Sequence, residues 1–213
     1  MPSQPRFTSP ADNTRPYGSR RYNVYGPKAG RLLTFFGRHT LQAWISLEAD
    51  PNVTAYCERP IVISHAKPKR IVDFWIARSE EEELWFLLRE NELGNDVSSC
   101  KSPAFQHWAT TNGFKVKLTD PVDLERNTVY LENWGAILRY LSINPNLISG
   151  ELIDQVRAMA RAPRPLAAIQ ASLPEYDPII VRTAIFSLLH KGKMKCDDIE
   201  TRPLSIHSTF EAI

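Results

Sequence analysis

Asp73 is the residue whose type and setting invite chemistry. It lies in RIVDFWIARSEEEELWFLLRE, residues 70–90, between two apolar runs of strand character. An ionised carboxylate inside an otherwise buried strand is costly unless something answers it. Three uses would: ligation of a divalent metal, an ion pair with a cation such as Arg70 or Lys69, or a structural role at a strand end. Metal-assisted hydrolysis of a phosphodiester needs several carboxylates converging on Mg²⁺ and a lysine at the attacking water. The glutamates 80–83 follow closely, but successive strand residues alternate faces and cannot all reach one ion. That run reads as a solvated hairpin connection.

Most other chemistry is excluded by what the sequence lacks. It holds no Gly-rich phosphate loop, no G-x-S-x-G elbow and no H-E-x-x-H pair. His39, His65, His107, His190 and His207 are scattered without ligand spacing, and Cys57, Cys100 and Cys196 form no CxxC pair. The cysteine pattern and the lack of an apolar leader lead us to expect reduced thiols in a cytoplasmic protein. No run is long and apolar enough to suggest a membrane span. We expect no resident cofactor, no membrane partner and no small-molecule substrate; Mg²⁺ enters only if the Asp73 site is active.

The elements that would position Asp73 follow from periodicity. Residues 37–49 have apolar spacing for a helix that Pro51 ends. VTAYCERPIVIS (53–64), interrupted at Pro60, reads as two short strands or an edge strand. Strands at 70–77 and 84–89 follow, then a helix begun by Ser102 and Pro103 and ended by Gly113, then the alternating strand FKVKLTD. Helix, strands, helix and strand make an α/β domain, a mixed sheet with flanking helices, over 31–130. From about 131 the chain turns helical. A helix at 165–173, a PEYD turn, a helix at 177–190 and the strand pair KMKCD and PLSIH have the order of a winged helix, placed in a second domain at 131–213.

Charge is unevenly distributed. Residues 1–40 carry seven Arg and Lys against Asp12 alone, a balance of 7 − 1 = +6 within a net +2. Proline-rich residues 1–30 read as a disordered basic arm whose arginines and tyrosines suit nucleic acid. The candidate contacts are Arg15, Arg20, Arg21, Lys28 and Arg31, the turn cations Lys67, Lys69 and Arg70, and Arg182, Lys191, Lys193 and Lys195 in the second domain. Residues 150–213 hold eight basic and eight acidic residues, so their helices suit protein docking as well as DNA.

SLEADPNVTAYCERPIVI, RIVDFWI and ELWFLL together resemble the TnsA-like endonuclease subunit of heteromeric transposases, a PD-(D/E)xK, restriction-endonuclease-like family. The resemblance spans about 180 residues. It implies a nuclease-like domain followed by a winged helix, with DNA and transposase or transposition-regulator subunits as partners. The family aspartate falls on Asp73. The family's helix glutamate falls on Thr40, with Gln42 and Glu48 nearby, and its acid-x-lysine pair falls on Phe86 and Leu88, or one residue on, Leu87 and Arg89. Arginine does not lose a proton at working pH and so is no general base. The expectation is a catalytically degenerate, TnsA-like transposition component. The alternatives are an active metal nuclease rebuilt from Gln42, Glu48, Glu58 or the glutamates 80–83, and a winged-helix DNA-binding accessory or regulatory protein.

Overall fold

The computed structural model describes residues 5–63, 69–79, 81–89, 92, 102–143 and 148–213. By their contacts these fall into two units. The first comprises residues 1–47 and 52–126, and the second comprises residues 48–51 and 127–213. The sequence-based boundary stood at 130/131. No helix among the described residues is long and apolar enough to cross a membrane.

The first unit is a mixed α/β arrangement. Strands β1 (Arg21–Gly26) and β2 (Arg31–Phe36) form an antiparallel ribbon, and helix α1 (Arg38–Ala49) follows at once. Gly37, between ribbon and helix, has φ +93°, a turn for which glycine is suited. Strand β3 (Val53–Glu58) leads to the small pair β4 (Val62–Ile63) and β5 (Arg70–Ile71), then to β6 (Phe74–Arg78) and β7 (Glu81–Leu87). Helix α2 (Pro103–Thr111) crosses to β8 (Phe114–Thr119). The main sheet has the order β3-β6-β7-β8, antiparallel except for the parallel β7–β8 pair. A helical crossover is what a parallel neighbour requires.

Alternation along β6 separates two cores. Phe74 faces Phe35 of β2, which touches Trp44 of α1. Trp75 faces the opposite cluster, with Leu84, Phe86, Phe105, Ala109 and Phe114. The sheet therefore carries α1 on one face and α2 on the other, with fully buried aromatic residues in both layers.

Two expectations are corrected in this unit. Residues 1–30 are not a disordered arm where they are described. Phe7 inserts against Trp75 and Phe114, Arg6 pairs with Glu82, and the Ala11 N–H donates to the Arg59 carbonyl at 2.9 Å. One aromatic anchor and a few charge contacts order this proline-rich segment, and β1 continues it. The glutamate turn is shorter than expected as well. Glu81–Glu83 are strand residues, each answered by a neighbour: Glu81 by Lys115, Glu82 by the Trp75 indole N–H, and Glu83 by the Trp85 indole N–H and Arg78. Glu80 lies outside the described residues.

Helix α3 (Pro121–Glu125) ends the first unit, and the second continues with α4 (Thr128–Ile143) and α5 (Gly150–Met159). Strand β9 (Arg164–Pro165), α6 (Leu166–Ala171), α7 (Pro178–His190), β10 (Met194–Lys195), a 3₁₀ turn (Asp197–Glu200) and β11 (Thr209–Ala212) complete it. The Asp177 side chain accepts from the Ile179 N–H, and Pro178 occupies the first turn of α7. The strands pair as β10-β11-β9, all antiparallel. Gly192 combines φ +65° with a close approach, since a Cβ there would stand 2.8 Å from Pro51 Cβ. The strand expected at 203–207 forms instead at 209–212. Buried Asn133 explains the shift: it donates to the carbonyls of Ile199 and Arg202 and accepts from the Leu204 N–H, which holds that stretch on α4.

Candidate functional site

Asp73 occupies the gap between β5 and β6. Its N–H donates to the Trp85 carbonyl at 3.0 Å, and its carbonyl accepts from the Arg59 N–H at 2.9 Å. The β6–β7 ladder stops at Phe74 opposite Trp85. Beyond it the Asp73 carboxylate supplies the missing acceptor, taking the Leu87 N–H on Oδ2 at 2.8 Å. The side chain thus extends a backbone ladder that would otherwise leave a donor unmatched.

Its charge is answered by Arg70. Arg70 is buried at 3% exposure and donates from Nη1 to Asp73 Oδ2 at 3.3 Å. Nη2 donates to the Leu87 carbonyl at 2.8 Å and to Glu92 Oε2 at 3.3 Å. Nε lies 3.1 Å from Glu92 Oε1, within ion-pair range but not aligned for a hydrogen bond. The guanidinium also sits 5.2 Å above the Phe86 ring centroid. Glu92, itself buried, takes the Arg89 N–H on Oε2 at 2.9 Å. The result is carboxylate, guanidinium, carboxylate, closed by backbone hydrogen bonds.

The residues do not fit a divalent cation. The two carboxylates that meet here are turned onto a guanidinium, and among the described residues no group of three His, Cys, Asp or Glu is placed to hold an ion. Burial, the largest influence, pushes the Asp73 carboxyl above the ordinary carboxylate range; Arg70, the Leu87 N–H and Arg89 pull it down, and Glu92 adds to the rise. A carboxyl with a raised folded-state pKa adds stability that is full below its unfolded value and fades as pH rises through the raised one. The stability of the wild type relative to Asp73→Asn is accordingly expected to grow as pH falls from about 7 towards about 4. Urea midpoints of both proteins across that window check it, and a constant difference would count against it.

The positions equivalent to the family's catalytic set are structural. The Thr40 hydroxyl donates to the Phe36 carbonyl at 3.0 Å. Phe86 is fully buried against Phe105, and Leu88 packs on the same cluster. The residues proposed for a rebuilt site are engaged elsewhere. Glu48 meets His190 Nε2 at 2.7 Å, and Glu58 is gripped by both Arg31 terminal nitrogens at 2.7 and 2.5 Å. The buried Gln42 amide oxygen has no hydrogen-bond partner among the described residues.

The expected nucleic-acid cations divide sharply. Arg70 is corrected to a buried ion-pair residue, and Arg31 to the partner of Glu58. Lys69 pairs with Asp12, Lys195 with Glu211, and Lys28 donates to the Leu47 carbonyl. Arg182 donates to the Tyr140 hydroxyl at 2.9 Å. Lys67 lies outside the described residues. Arg15, Arg20, Arg21, Lys191 and Lys193 are exposed. Sequence reasoning missed Glu92, for which no local signal existed, and Arg38, which the absence of acids over 13–47 would have flagged.

No family model and no curated protein matches the chain.

Proposed function

We propose that the chain is a catalytically degenerate, TnsA-like component of a DNA transposition complex, in which a nuclease-like unit serves as scaffold and DNA contact. The observation that carries this reading is Arg70. Its guanidinium takes Asp73 and Glu92 at the point where the family site needs a cation and a lysine. Support also comes from the layered mixed sheet, with Asp73 immediately before the second strand of the α1-β3-β6-β7-α2-β8 series.

The second unit is read as a winged helix, with α6 and α7 as the helix pair and β10–β11 as the wing. Its role in this proposal is docking a partner subunit. A groove-reading helix presents side chains outward, whereas Val181 and Thr183–His190 of α7 are all buried and Arg182 turns onto Tyr140.

Supercoiled-plasmid nicking with Mg²⁺ or Mn²⁺ tests the degenerate site, with and without candidate transposase subunits. The expected result is no cleavage by the chain, and none that distinguishes it from Asp73→Ala. Cleavage abolished in Asp73→Ala would overturn the proposal in favour of an active endonuclease.

A further inference from the structure

The β1–β2 ribbon gathers cations that no carboxylate answers. Residues 13–47 hold six Arg and Lys and no Asp or Glu. Arg31 is engaged by Glu58 and Lys28 by the Leu47 carbonyl. The other four, Arg15, Arg20, Arg21 and Arg38, are exposed and form no ion pair among the described residues. Three acids of the same unit already have cationic partners: Asp12 has Lys69 and Arg59, Glu58 has Arg31, and Glu125 has His39.

Backbone geometry collects the four at one end of the ribbon. The Gly37 N–H donates to the Arg20 carbonyl at 2.9 Å, which sets Arg38 beside Arg20. Arg21 faces Phe36 in register. Arg15 Nε donates to the Ser19 carbonyl at 2.8 Å, holding its guanidinium next to the start of β1. The pleat that buries Leu33 and Phe35 turns Leu32 and Thr34 to the other face, where Thr34 hydrogen-bonds Asn23 and Arg21 bonds the same amide oxygen. Four unneutralised guanidiniums beside a two-stranded ribbon whose outer face carries Asn23 and Thr34 along with the exposed Leu32 match a phosphate backbone in charge, and such a ribbon is narrow enough for a major groove.

We infer that this end of the ribbon is the surface by which the chain contacts duplex DNA. The inference rests on the DNA-binding part of the function proposed above and moves that contact away from Arg31, Arg70 and Lys195.

The test is the salt dependence of binding by the full chain to a random-sequence duplex, followed by fluorescence anisotropy. The triple variant Arg20→Gln, Arg21→Gln, Arg38→Gln is compared with Lys191→Gln, Lys193→Gln. Each lost phosphate contact lowers the slope of log K against log salt by about 0.9, so the triple variant is expected to lose roughly 2–3 from the slope and tenfold or more in affinity. The lysine pair is expected to leave both unchanged. These side chains are exposed, and matching thermal melts would confirm that the variants fold. A wild type that binds DNA while the triple variant binds equally, with the same slope, overturns the ribbon assignment and leaves the proposed function standing. A wild type that binds no duplex overturns both. Competition by polyglutamate as effective as by DNA of equal charge would reassign the ribbon to an acidic protein surface and overturn the DNA contact.

Discussion

Arg70→Met is expected to destabilise the first unit by about 3–5 kcal/mol, the usual cost of removing one member of a buried ion pair. The loss has three sources in this structure. Asp73 and Glu92 are left as neighbouring carboxylates without their cation, the Leu87 carbonyl loses its donor, and the Phe86 ring loses the guanidinium above it. Urea denaturation reads the change directly. The double variant Arg70→Met, Glu92→Gln is expected to recover part of the loss, because it withdraws one of the stranded charges. A single variant that melts with the wild type would mean that both carboxylates are adequately solvated and that Arg70 does not hold this end of the sheet.

Phe86→Glu is expected to unfold the first unit rather than to restore a metal ligand. Phe86 is fully buried and meets Phe105 edge-on, with ring centroids 5.4 Å apart. Removing such a ring costs about 3–5 kcal/mol by itself. A buried carboxylate adds several kcal/mol unless it finds a cation, and the available guanidinium already has Asp73 and Glu92. The sum reaches the whole stability of an ordinary domain, about 5–15 kcal/mol. Far-UV circular dichroism and a melt of the purified variant check it. A folded Phe86→Glu chain that nicks plasmid with Mn²⁺ would show that the site is one substitution from activity, contrary to the packing.

Local signals made some of this legible and distance hid the rest. Ser102-Pro103 and Asp177-Pro178 mark helix starts that depend only on neighbouring residues, and α2 and α7 begin there. The alternation of FKVKLT likewise reports its own burial pattern. What could not be read was decided by partners far along the chain. Proline and arginine made residues 5–16 look unable to pack, yet Phe7 finds Trp75 and Phe114. The 203–207 stretch has strand-like residues, but Asn133 takes the Leu204 N–H, 71 residues away, and the carbonyls of Ile199 and Arg202 just before it. At the candidate site, Arg70 is legible as a partner for Asp73 because it lies three residues off. Glu92, which completes the network, sits 22 residues from Arg70 and carries no sequence mark of its own.

The strap anchored by Phe7 also sets an order of events as the chain is made. Arg6 donates to the carbonyl of Asn112, 106 residues later, and the ring beside it meets Phe114. Within the second unit, Glu48 waits for His190, 142 residues on. Contacts of such separation must meet their loop-closure entropy before they stabilise anything. Residues 5–16 leave the ribosome well before their partners and therefore stay unpacked until most of the first unit has emerged. Folding finishes late, at a pace set by long loops rather than by helix formation, and the apolar face that Phe7 covers stays open in the meantime.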